Sequence, residues 1–232
     1  MHLTQRLFAC AYDPVMAPLE HGRVGAQRTA LLAGAHGHVL DLGAGTGANL
    51  DHLPATVDRV TAVEPDPAMR AHLDRHLAGL TVARERETLT REPAPTPTPG
   101  ADTGAAGPVI EVVDAVAEAL PLADDSVDVA LATLVLCTVR DPELAVAELR
   151  RVLRDDGHLL VLEHVASDQP GRLRLQRTLT PAWRVVARGC HLDRDTSGIL
   201  AAGGFDVSGI VPWQLSDRSR LTAAITGVAR PA

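Results

Sequence analysis

The sequence predicts an α/β domain with a doubly wound, mostly parallel sheet. Three observations carry the prediction. Apolar runs of strand length alternate with segments of helical periodicity. Residues 38–50, HVLDLGAGTGANL, lead a buried strand straight into Gly43, Gly45 and Gly47. At the end of the next apolar run stands Glu64, 21 residues after Gly43.

The predicted strands are 39–42, 59–64, 109–113, 127–133 and 158–163. Their apolar residues are continuous rather than alternating, as in strands covered by helices on both faces. A helix is expected directly after the glycines. A second, 67–78, places Met69, Leu73 and Leu77 on one stripe. The clearest helix starts with Asp141 as N-cap and Pro142 in the first position. Ala145, Leu149, Val152 and Leu153 form its apolar face, Arg150, Arg151 and Arg154 crowd its end, and Gly157 is expected to close it. Between 67–78 and the third strand, residues 91–107 carry four prolines from Pro93 to Pro99, then small residues. Such a stretch buries little, so it reads as a flexible Pro/Thr-rich insertion into one domain spanning 1–232.

With 232 residues, 46% apolar and 22% charged, the composition is globular. The net charge is −7, and every basic residue is Arg. A basic nucleic-acid footprint is absent, and five aromatics are too few for a base-stacking platform, so no nucleic-acid partner is expected. Cys10, Cys137 and Cys190 lie far apart, without a zinc spacing. They read as reduced thiols of a cytoplasmic chain, with Cys137 and Cys190 as small packing residues. The longest apolar run, 129–139, is shorter than a bilayer span of about 20 residues, so no integral membrane segment is expected. Asp124, Asp125 and Asp128 read as solvated turn residues, and no metal site is expected.

Glycines at a strand–helix turn permit a sharp bend and let a ligand lie against bare backbone. An acid at the end of the following strand can hold both hydroxyls of a ribose. Gly43, Gly45 and Ala48 also satisfy the dinucleotide pattern G-x-G-x-x-A, so the loop alone leaves a nicotinamide enzyme open. Glycines that serve only packing are the plainer alternative.

The segments AEALPLADDSVDVALATLVLCTV (117–139) and DPELAVAELRRVLRDDGHLLVLEHV (141–165) separate these readings. Together with the loop and Glu64 they resemble the class I S-adenosylmethionine-dependent methyltransferases, in the ubiquinone/menaquinone C-methyltransferase-like branch. Asp156-Gly157 stands where that family has paired glycines. TLVLCTV, LEHVAS, TPAWRVVARGCHLDRDT and GGFDV…VPWQL extend the likeness toward the alkyl-thiol methyltransferases. Those proteins carry an N-terminal membrane-associating segment that is not read here.

The resemblance implies a seven-stranded Rossmann-like fold and S-adenosyl-L-methionine as cofactor. It implies that Asp41 steadies the loop or reaches the methionine amino group, and that Gly43, Gly45 and Gly47 line the methionine and ribose. Glu64 would bind the ribose hydroxyls, Pro65 and Ala117 would wall the adenine, and Thr133 would cover the reacting methyl. Where relatives place Asp-Ala, this chain has Val116-Ala117, leaving the Ala117 amide, Asp114 or Glu118 to read the adenine. His164 is the candidate base, with a structural histidine as the alternative. Residues 1–36, including Tyr12 and Met16, resemble a lid, and 166–232 an acceptor-side part. The implied reaction methylates a small hydrophobic acceptor, a thiol by preference. O-, N- or C-methylation of a quinone or natural product is the alternative, and a non-catalytic cofactor-binding protein stands in another class. Oligomeric state is not legible.

Overall fold

The computed structural model describes residues 3–90, 107–216, 219 and 221–232. Apart from Gly107, the predicted insertion 91–107 lies outside the described residues. Seven strands form one sheet: β1 (Gly37–Leu42), β2 (Val57–Val63), β3 (Val109–Val113), β4 (Val127–Thr133), β5 (Leu153–His164), β6 (Phe205–Gln214) and β7 (Ala223–Pro231). Their order is β3-β2-β1-β4-β5-β7-β6. β1 to β5 are parallel, and β7 runs antiparallel between β5 and β6. From β1 the chain winds first toward β3, then back through β4. That reversal opens a crevice at the carboxyl ends of β1 and β4.

The helices are α1 (Leu3–Glu20), α2 (Arg23–Leu32), α3 (Pro67–Thr90), α4 (Pro142–Val152), α5 (Pro170–Val186) and α6 (Thr196–Ala202). The strand residues divide between two cores, one on each face. Leu40, Ala130, Ala132 and Leu159 pack with Val146 and Leu149 of α4 and Leu200 of α6. Val39, Val60, Val129 and Leu131 pack with Leu32 of α2 and Leu73 of α3. This double covering is why the strands read as unbroken apolar runs. Asp141 caps α4 by accepting from the Leu144 amide at 3.0 Å, with Pro142 in the first turn.

All five predicted strands fall on observed ones, and three expectations are corrected. α4 ends at Val152, because Leu153 takes extended backbone (φ −72°, ψ 134°) and starts β5. Gly157 therefore closes no helix. A Cβ there would stand 2.9 Å from the Asp128 carbonyl oxygen, so the glycine lets β5 pass close to β4. The helix expected after the glycines is only a 3-10 turn, Leu50–His52. Asp128 is a strand residue, not a turn residue: its carboxylate accepts from the His38 amide at 2.7 Å and pairs with Arg154.

Candidate active site

A cavity of about 700 Å³ lies at the sheet's switch point. Gly43, Gly45, Glu64, Pro65 and Ala117 all line it, so five of the sequence-predicted residues meet in one place. Tyr12 of α1 and Ala187 and Arg188, just after α5, reach the same space. Burial pushes the Tyr12 phenol up to about 12.

The three loop glycines have positive φ: 62°, 59° and 97° for Gly43, Gly45 and Gly47. What a side chain would meet separates their roles. At Gly47 a Cβ would collide with Leu73 Cδ1 at 2.8 Å, so this glycine packs the loop onto α3 and does not line the cavity. At Gly45 the nearest atom is Met69 Cε at 3.7 Å, so this stretch of backbone faces space into which a ligand fits.

Glu64 follows β2 and is buried at the cavity edge. Its Oε2 accepts from the Gly45 amide at 3.0 Å and its Oε1 from the Asp66 amide at 2.8 Å. Burial raises its pKa, and the two amides oppose that rise. Each oxygen keeps a lone pair for a hydroxyl. Asp66 accepts from the Ala68 amide at 2.7 Å, capping α3, and its second oxygen pairs with Arg188 Nη1 at 2.7 Å. Opposite, Glu118 lines the cavity and accepts from the amides of Arg140 and Asp141. Asp114 does not line it, because Arg70 holds both its oxygens at 2.7 Å.

Asp41 and Thr133 lie behind the loop rather than in the cavity. Asn49 Nδ2 donates to Asp41 Oδ1 at 2.6 Å and to Thr133 Oγ1 at 2.9 Å. The Asn49 carbonyl accepts from buried Arg28, which is paired with Glu20 at 2.7 Å. Asp41 is fully buried, and its Oδ2 has no partner. Burial pushes its pKa up to about 6.

His164 is also outside the cavity. Its Nε2 lies 2.6 Å from the Leu221 carbonyl and its Nδ1 3.7 Å from the Cys190 sulfur. Burial lowers its pKa, but these two neighbours outweigh that and raise it. The fold brings His164 against Cys190. The Cys137 thiol, then His164, pull the Cys190 pKa down. Glu163 is fully buried and accepts from the amides of Val135, Leu136 and Cys137. Desolvation pushes it up to about 7 against those three bonds. It thereby fixes the turn after β4, where Leu134 holds a positive φ of 58° and lines the cavity.

Sequence reasoning did not identify Asp66, Arg188, Arg140 or Asn49. Asp66 was within reach, since an Asp just before Pro67 is a helix-start signal. Arg188 and Arg140 come from distant loops, and nothing local marks them.

The residues present fit S-adenosylmethionine: open backbone at Gly45 faces a carboxylate at Glu64 that can hold a ribose. A Methyltransferase domain family model matches residues 40–161. The chain is 36% identical over 169 residues to human Thiol S-methyltransferase TMT1B, covering 71% of this chain and 59% of that protein. Over 160 residues it is 35% identical to the Rattus norvegicus TMT1B, covering 68% and 55%. The chain thus spans less than two thirds of these relatives' length. A solved SAM-dependent methyltransferase from Thermotoga maritima has the same fold, with a TM-score of 0.60 at 18% identity over 98% of this chain and 96% of that one. Among the described residues no helix is long and apolar enough to cross a membrane. With the strand order, the glycine loop and the family match in agreement, the chain belongs to the class I S-adenosylmethionine-dependent methyltransferases.

Proposed function

We propose that this methyltransferase acts on the sulfur of a small, apolar thiol, with Glu64 and Gly45 as its principal cofactor contacts. The observation that carries the thiol reading is the state of the acids around the cavity. Glu64 accepts from two backbone amides, Asp66 from one amide while it forms an ion pair with Arg188, Glu118 from two amides, and Asp141 from the Leu144 amide. No histidine is among the described lining residues, and the Tyr12 phenol is raised to about 12. The acids of the lining are thus already engaged by backbone amides, an arrangement that favours an acceptor needing no strong base.

A thiol needs none. A thiol is far more acidic than an alcohol (about 8.5 for a cysteine side chain), so it can lose its proton to water, and the thiolate is the nucleophile. A phenol or alcohol needs a base in the transition state, worth about 10²–10⁴-fold. Val116, Leu134, Val135, Val139 and Leu144 supply apolar wall, while Arg140 and Arg188 supply positive charge for a thiolate. When bound, S-adenosylmethionine supplies an electrophilic methyl group. The work left to the chain is alignment and the exclusion of water. Glu64 orients through the ribose hydroxyls, and the turn held by Glu163 shapes the acceptor side. Asp41 and Thr133 act through Asn49 on the loop, and His164 supports the wall near Cys190. The likeness to proteins named thiol S-methyltransferases supports the same acceptor.

A panel of alkyl thiols, phenols, amines and quinones, assayed for cofactor turnover, tests this reading. Thiols are expected to turn over best, with kcat/KM rising with pH to the thiol's own pKa and then levelling. Methylation of phenols without measurable thiol methylation at any pH would overturn it.

A further inference from the structure

We infer that α5 is a docking face for an anionic lipid bilayer. Three features converge on this helix. Leu175, Leu179, Ala182 and Val186 recur at three- and four-residue steps, with Trp183 four residues after Leu179. At that spacing they share one side of the helix. Leu175 is 43% exposed and Val186 70%, so the stripe is turned to water rather than to the core; Trp183, 42% exposed, sits at its edge with its indole N–H bonded to Cys190. The side that packs inward is instead marked by Gln176 and Thr180. The Gln176 amide bonds the Ser167 N–H and the Val165 carbonyl, and Thr180 bonds Asp193.

The second feature is charge. The chain carries −7 overall, yet between residues 170 and 188 every charged side chain is an Arg: 172, 174, 177, 184 and 188. Arg188 pairs with Asp66. Among the described residues no carboxylate forms an ion pair with Arg172, Arg174, Arg177 or Arg184. A cationic helix with an exposed Leu/Trp/Val stripe has the composition of one that lies in a headgroup layer, with the arginines meeting lipid phosphates. Trp is well suited to that depth. A second copy of this chain is a poorer occupant, since it would bring its own arginines against these in an isologous contact.

The third feature is position. Immediately after α5, Ala187 and Arg188 line the active-site cavity. Docking through α5 would therefore place the cavity beside the bilayer, where an apolar acceptor concentrates. That last consequence rests on the acceptor reading; the docking itself does not.

The test uses the whole chain and sedimentation with vesicles of phosphatidylcholine alone or mixed with phosphatidylglycerol. The chain is expected to co-sediment with the anionic vesicles about tenfold more tightly than with neutral ones, and less as salt rises. The triple variant R174E/R177E/R184E, and separately L179E, should lose this binding while still binding S-adenosylmethionine. In a W213F background, where Trp183 is the remaining tryptophan, its emission should shift to the blue on anionic vesicles. Three results would overturn the proposal: no co-sedimentation with anionic vesicles, equal binding by wild type and variants, or a concentration-dependent dimer abolished by L179E. Because the readout is binding rather than turnover, failure here leaves the acceptor reading standing, and the reverse also holds.

Discussion

The Glu64 carboxylate accepts the Gly45 amide hydrogen at 3.0 Å, tying the end of β2 to the loop that follows β1. The contact joins the two sequence features on which the proposed cofactor site rests, 19 residues apart. It also holds the carboxylate at the cavity edge before any ligand binds. Preorganisation of this kind lowers the cost of binding.

Asp41 makes stability depend on pH. Its carboxyl has an ordinary pKa of 3.8 and one of about 6 in the folded chain, because burial disfavours the charge. Since the folded value is raised, its contribution is fully present below about pH 4 and is lost as pH rises through 6. Two pH units correspond to about 3 kcal/mol. Asp41→Asn should remove this part of the fall, so the difference in stability between variant and wild type grows from pH 4 to 6 and is flat above. Denaturant melts across that range check it.

Glu163 anchors the turn after β4 through three backbone amides, two of them at 2.8 Å. Glu163→Leu leaves all three without an acceptor in a buried site. The expected cost is about 3 kcal/mol or more, a fall in Tm of roughly 6–12 °C for a chain of this size. Glu163→Gln keeps an acceptor and should lose less. Thermal melts of the two variants distinguish a turn anchor from a residue that acts only in turnover.

His164 separates acceptor classes. It lies outside the cavity against the Leu221 carbonyl and Cys190. His164→Asn should therefore lower thiol methylation only a few-fold and leave the rise of kcat/KM with pH in place. Loss of about 10²-fold or more, with a changed pH profile, would mark it as a base.

Much of this fold was legible because β1, β2, β4 and β5 are buried on both faces and so appear as continuous Val, Leu and Ala runs. The meeting of Gly45 and Glu64 in one cavity was legible for a similar reason: each follows a strand end fixed by its neighbours. Element ends were not. The end of α4 is set by Leu153 joining β5 opposite Val127, a pairing of distant segments. Asp41 looked like a possible ligand contact because its sequence position is right, yet Asn49 and Arg28 draw that region into a buried network. Likewise His164 sits at a suitable strand end, but what it faces is decided by Leu221 and Cys190, which come from elsewhere in the chain. Local pattern reports burial and turns, and it carries little about which distant side chains meet.

The central claim is that the Gly45 loop and Glu64 hold S-adenosylmethionine, and calorimetric titration of Glu64→Ala tests it most directly. The variant removes the carboxylate that would hold the ribose hydroxyls. Losing hydrogen bonds to a charged group costs about 1.5–3 kcal/mol, so affinity should fall roughly 10- to 150-fold. Gly45→Val, which directs a branched side chain into the cavity at a φ of 59°, should weaken binding as well. Circular dichroism of each variant should match wild type. Wild-type affinity in a folded Glu64→Ala variant would contradict the account.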